Sequence, residues 1–137
     1  MTLLRRSLAH LVLSSLLSIA ACLIYNAVYC KAFELDFSSV LNASGIIGAN
    51  VFAALLMGTA YYLLERFNKQ KLQGWLNLFI ALLSFASIVG VFGMQLPLTI
   101  ESPELFPGLA VPMHFFPALA FFSVAPFFVS KQSNKSQ

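Results

Sequence analysis

Chemistry in this chain would have to come from a short roster: two histidines, two cysteines and five carboxylates among 137 residues. His114 stands out, because it lies in an apolar run, residues 107–130, that also holds Pro112, Pro117, Pro126 and three Phe-Phe pairs. An imidazole can act as acid, base, metal ligand or hydrogen-bonding contact for a bound molecule. The first three roles need partners, and the sequence supplies few. His10 sits near the start of the first apolar run, where it is expected beside the inner headgroups. A bis-histidine haem would then have to bridge most of a bilayer about 30 Å thick. Cys22 and Cys30 fall on one helix about 12 Å apart, beyond disulfide reach, and do not complete a zinc site. No CxxC, Ser-His-Asp set, phosphate loop or dinucleotide fingerprint occurs. The reading therefore implies no metal, no cofactor and no assigned catalytic residue, and leans away from an enzyme.

The elements that must position these residues are set by apolarity. The chain is 59% hydrophobic and 9% charged, with mean hydropathy +0.83, whereas a soluble domain carries about a quarter charged residues. Four nearly charge-free blocks account for the difference, at about 8–29, 40–64, 74–94 and 107–130. A span needs about 20 apolar residues, so four spans and short loops use up the chain as a single transmembrane domain, 1–137. The fold class expected is all-α, an integral membrane four-helix up-down bundle, with its fourth helix kinked by proline. The five acids lie in loops or at span ends, leaving no intramembrane carboxylate for proton relay or cation coupling.

Net charge is +3. In a soluble protein that would raise nucleic acid as a partner, but no basic stripe with interleaved aromatics is present, so nucleic acid is excluded. The basic residues instead report topology. Arg5, Arg6, Arg66, Lys69, Lys71, Lys131 and Lys135 hold seven of the eight, in the N-terminus, second loop and tail. Lys31 stands alone in the first and third loops, with Glu34, Asp36, Glu101 and Glu104. Lys/Arg excess marks the cytoplasmic side. The expectation is a multi-pass protein of the cell (inner) membrane with both termini cytoplasmic.

Ser14, Ser18, Cys22 and Asn26 recur every four residues, a small and polar seam on the first helix. Ala49/Ala53 and Ala54/Gly58 give the second helix small-xxx-small spacing, and Ser84, Ser87, Gly90 and Gly93 give the third a small stripe; both read as surfaces for close helix approach. Trp75, with Tyr61 and Tyr62, suits an inner aromatic belt, and Tyr25 and Tyr29 the outer one. Ile19-Ala20-Ala21-Cys22 resembles a lipoprotein cleavage box. The apolar run continues through Val28, however, which favours a retained helix. Asn42-Ala43-Ser44 matches a glycosylation sequon but hugs the membrane and reads as coincidence. Ser102-Pro103-Glu104 looks like a helix start with a capping serine.

Pro112 and Pro117 would leave the carbonyls of Gly108 and Met113 without their helical donors. Lipid cannot satisfy those carbonyls, so neighbouring helices, side chains or water must. The fourth helix either bends at Pro117 or begins at Pro112 after an irregular lead-in. With N-in topology, Tyr25, Asn26, Tyr29, Asn50 and Gln95 share the outer half with His114, and polar groups at membrane depth face the bundle interior. Two readings follow. These residues line an outward-facing pocket for a small molecule, lipid or partner helix, or they pair with one another and with the proline-freed carbonyls purely to hold the helices.

Asn26-x-x-Tyr29 and Pro112-Met113-His114…Pro126 resemble motifs of a group of small, uncharacterised bacterial four-helix integral membrane proteins. Pro117 and the many phenylalanines depart from that pattern. The resemblance implies the fold and carries over no activity. The leading functional expectation is a non-enzymatic membrane protein with a polar pocket at His114. The competing class is a small transporter or channel made by oligomerisation, and a third is an enzyme using His114. Partners are the lipid bilayer and either a homo-oligomer or another membrane protein.

Overall fold

The computed structural model describes residues 2–128; the end of the fourth apolar run and the polar tail with Lys131 and Lys135 lie outside the described residues. Four long helices carry the fold: α1 (Leu3–Phe33), α2 (Ala43–Arg66), α3 (Gln73–Gly93) and α4 (Phe106–Phe128). Each is long and apolar enough to cross a membrane. No strand occurs among the described residues.

Helix ends follow local chemistry. Thr2 caps α1, accepting from the Arg5 N–H. α1 runs 31 residues, about 46 Å, and so extends past both ends of the apolar block at 8–29. It stops where Glu34 turns left-handed at φ 55°. Asn42 caps α2, its Oδ1 accepting from the Gly45 N–H at 2.7 Å and from Ser44 Oγ at 2.8 Å. The sequon-like triplet is thus a helix start. A short 3₁₀ turn, Gln70–Leu72, leads into α3. Another, Pro103–Leu105, leads into α4. Ser102 does begin that turn, but not as a side-chain cap. Its backbone is left-handed, φ 53°, whereas capping requires extended geometry to aim the hydroxyl at the next N–H groups.

The helices alternate in direction. Arg6 at the start of α1 meets Glu65 at the end of α2, with Nη2 3.0 and 3.1 Å from the two carboxylate oxygens. Tyr29 near the end of α1 donates to the Leu105 carbonyl at the entry to α4. α1 packs most extensively on α4, then on α2; α3 leans on α4 and barely touches α2. Around the bundle, the seam between α2 and α3 is therefore the loosest.

Two clusters close the bundle at different heights. Met57, Tyr61, Ile80, Ala118 and Phe121 meet toward the end that holds the N-terminus. At the far end Phe37, Val91, Ile100, Phe106, Leu109 and Ala110 meet. Phe37 and Ile100 come from connections yet are 1% and 9% exposed; Phe37 sits edge-on to Phe106. Tyr61, read from sequence as an interfacial belt residue, is instead buried core, hydrogen-bonded to Asn77. The small residues of α2 divide. Ala54 and Gly58 face α1 closely enough that a Cβ on Gly58 would lie 2.9 Å from Leu11 Cδ1. Gly90 and Gly93 of α3 face open space, so that end of the stripe packs against no described residue.

Candidate functional site

α4 is helical straight through Pro112, Pro117 and Pro126, so the irregular lead-in before Pro112 does not occur. What lets it continue is α1. Tyr25 Oη donates at 2.9 Å to the Gly108 carbonyl, the one Pro112 leaves without a donor. Cys22 Sγ lies 4.0 Å from the Met113 carbonyl, the one freed by Pro117. Tyr29 serves the Leu105 carbonyl at 2.9 Å. Gly108 is what admits Tyr29: a Cβ there would collide with the tyrosine hydroxyl. Cys22, Tyr25 and Tyr29 thus form a rail of polar contacts laid along the proline-rich helix.

The same rail ends at His10. Expected beside the headgroups, it is 4% exposed and buried among helices. Its Nε2 lies 3.0 Å from the Phe121 carbonyl, which can only accept, so Nε2 carries the proton. The ring stacks on Phe121 at 4.1 Å and on Phe128 at 5.6 Å, with Tyr61 edge-on. A cavity of about 10 Å³ lies beside it, lined by Arg6, Tyr61 and Glu65 among others, about the size of a single water. Sequence reasoning missed this cluster. Its only signal was that Glu65 and His10 share one end of an antiparallel pair.

At mid-height Asn50 enters from α2 and is fully engaged. Its Oδ1 accepts from Ser18 Oγ, its Nδ2 donates to the Ile46 carbonyl at 2.8 Å, and Cys22 Sγ lies 3.5 Å from Nδ2. This meets the requirement that a buried amide in dry surroundings find partners.

Beyond Asn50 the bundle opens. A groove of about 660 Å³ runs along the α2–α3 seam, floored by α4 and Cys22. α2 contributes Gly45, Ala49, Ala53 and Ala60, one flat strip, and α3 contributes Leu76, Leu83, Ser84 and Ser87. Phe52, Leu56, Phe79 and Leu83, all exposed, frame an opening on the side of the bundle. No lysine, arginine, aspartate or glutamate lines it. His114 does line it, half-buried, and no hydrogen bond joins it to any described residue.

The six residues picked from sequence therefore separate. His114 and Asn50 both line the groove. Tyr25 and Tyr29 are engaged on the backbone entering α4. Asn26 receives the Cys30 thiol within its own helix, at 3.7 Å. Gln95 is exposed, just past α3. Asn50, Tyr25 and Tyr29 thus tie one element to another, Asn26 bonds within α1, and the side chains of His114 and Gln95 bond to no described residue. Ala49 and Ala53, expected from their spacing to meet a neighbouring helix closely, line the groove instead, and Met57 and Met113 are groove residues that nothing in the sequence singles out. Comparison with protein-family models, with curated proteins and with solved structures finds no match for this chain.

Proposed function

We propose that this chain is a multi-pass protein of a bacterial inner membrane, both termini cytoplasmic, that works by holding an apolar occupant in the α2–α3 groove at His114. The observation that carries this is an unpartnered imidazole on the wall of a 660 Å³ apolar groove. That volume lies within the roughly 300–1,000 Å³ typical of small-molecule sites, which combine apolar walls with few polar groups. In lipid an unpaired polar group is costly, so a lone histidine at this depth points to something that pairs with it. Binding is favoured over catalysis because the other polar side chains on the wall, Asn50, Cys22, Ser84 and Ser87, are spent on partners within the chain. No second group stands ready for acid–base work.

The orientation is supported by Arg5, Arg6, Arg66, Lys69 and Lys71, which gather at the end joined by the Arg6–Glu65 pair. Pro117 lies on the groove wall, and a bend of α4 there would set the groove's width. Two experiments test the proposal. A reporter fused within residues 67–72 should score as cytoplasmic; an external score overturns the orientation. Native mass spectrometry from nanodiscs should show a bound non-protein mass on the wild type that Ala49→Phe, which fills the groove, removes. Equal occupancy in both overturns the groove as the site.

A second reading, a small transporter or channel formed by several copies, draws on the outward stripe of α3, where Gly90 and Gly93 face open space and would permit close helix approach. A strictly monomeric mass in nanodiscs rules it out.

A further inference from the structure

We infer that the turn between α2 and α3 binds the headgroup of an anionic phospholipid, with an acyl chain lying along the outward face of α3. This rests on the helices crossing a bilayer and is independent of the groove.

Charge comes first. The end that holds the N-terminus carries Arg5, Arg6, Glu65, Arg66, Lys69 and Lys71. Glu65 is the one acid among them, and Arg6 engages both of its oxygens, at 3.0 and 3.1 Å. Arg66, Lys69 and Lys71 are exposed, and no ion pair joins them to any described residue. Three cations within six residues thus lack a counter-charge from the chain. At a membrane surface their complement is the phosphate of an anionic lipid.

The turn that carries them is built, not slack. Asn68 closes it with a left-handed backbone, φ 53°. The Phe67 and Lys69 N–H groups donate to the Leu63 and Leu64 carbonyls at 3.0 and 2.8 Å, and that of Leu72 to Lys69 at 2.9 Å. The backbone is therefore ordered before any headgroup arrives, which lowers the cost of binding.

Charge alone would suit any phosphate; the apolar continuation singles out a lipid. The 3₁₀ turn runs directly into α3. Lys71, Trp75, Leu78 and Leu82, spaced four, three and four apart, therefore share one face. Trp75, Leu78 and Leu82 are 72%, 50% and 57% exposed. The groove is walled by other residues of α3, Leu76, Phe79 and Leu83 among them. Lys71 to Leu82 spans about 16 Å, half of a hydrocarbon core about 30 Å thick. This face thus offers a cation, then an indole of the kind that sits at headgroup level, then one leaflet's depth of aliphatic surface.

Trp75 is the only tryptophan in the sequence, so its emission reports the lipid beside it. The full chain is placed in phosphatidylcholine vesicles, and brominated-chain phosphatidylglycerol or phosphatidylcholine is titrated in as a quencher. The anionic lipid should reach half-maximal quenching at a clearly lower mole fraction. Arg66→Gln, Lys69→Gln and Lys71→Gln should each lower that preference about fivefold, the scale of one cation at an anionic surface, and the triple variant should abolish it. Lys31→Gln, at the far end, should leave it unchanged. Quenching by brominated phosphatidylcholine should be the same in every variant, which separates lost headgroup contact from lost insertion. Equal quenching by the two lipids, or a preference that survives the triple variant, overturns the inference. So does inorganic phosphate that removes the preference when chloride of equal ionic strength does not, since the turn would then be a free-anion site. If neither brominated lipid quenches Trp75, the membrane reading itself falls.

Discussion

The two ends of this bundle each hold one histidine, and they treat it in opposite ways. At the end that holds the N-terminus His10 is enclosed by Phe121, Phe128 and Tyr61 and hydrogen-bonded to a main-chain carbonyl. Toward the other end His114 borders an open groove and bonds to no described residue. The difference arises from which helices meet. α1 and α4 approach closely where α1 offers His10, Cys22, Tyr25 and Tyr29 to main-chain carbonyls at and within α4. α2 and α3 instead stand apart, with Gly45, Ala49 and Ala53 facing a seam that no described residue fills. A polar side chain bonded to a neighbouring helix holds the two together; His114 has no such bond to any described residue.

The strongest way to break this contrast is to remove each ring in turn. His10→Ala deletes a buried aromatic ring and leaves a cavity, at a cost of about 3 kcal/mol. His114→Ala should change stability by no more than about 0.5 kcal/mol, as expected away from packed or paired positions. Reversible unfolding in mixed micelles measures both. Equal losses would mean that His114 is structural after all and that the groove is an incidental gap.

A second substitution probes the rail. Gly108→Ala places a methyl where the Tyr29 hydroxyl sits, displacing it from the Leu105 carbonyl and prising α1 from α4. Overpacking of this kind costs about 1–3 kcal/mol. Because Leu109 and Ala110 follow directly and belong to the outer cluster, hydrogen exchange should rise at that end while the amides around His10 stay protected. Uniform loss of protection would show that the two ends are not independent.

Much of this was open to reading from the chain alone. Hydropathy marks four helices, the four-residue recurrence of Ser14, Ser18 and Cys22 marks the buried face of α1, and Asn50 had to find partners. What escaped has one cause. Hydropathy separates lipid from water, but lipid is as apolar as leucine, so an apolar helix does not announce which face meets a neighbour. Hence Tyr61 could be assigned to an interface though it is core, Phe121 and Phe127 could be treated alike though one is 0% and the other 82% exposed, and a groove between two apolar helices left no trace. Phe37 and Ile100 escaped for a related reason. A single apolar residue in a polar connection carries no periodicity to show that it points inward.

A finer test isolates one donor. Tyr25→Phe removes the hydroxyl on the Gly108 carbonyl and should cost about 1 kcal/mol, in the upper range for membrane side-chain hydrogen bonds. Its diagnostic value lies in a cycle with Pro112→Ala. Alanine at 112 restores the N–H that Gly108 is missing, so in that background Tyr25→Phe should cost clearly less. Additive losses would mean that the tyrosine acts by packing against Phe116 and not by repairing the helix.

The smallest effect concerns the lid over the end away from the N-terminus. Hydrogen bonds from the Ser38 hydroxyl and backbone N–H hold the Asp36 carboxyl below its ordinary range; Oδ1 accepts from the N–H at 2.8 Å. Because the folded value is depressed, the turn's contribution is present above the unfolded carboxylate value and fades as pH falls through the folded one. Between Asp36 and Ser38 sits Phe37, the plug of the outer cluster. Acidification should therefore raise hydrogen exchange at 37–41, once corrected for intrinsic rates, without touching residues near His10, and Asp36→Asn should flatten that dependence. A pH response that persists in Asp36→Asn would place the titrating group elsewhere and leave the lid as a passive turn.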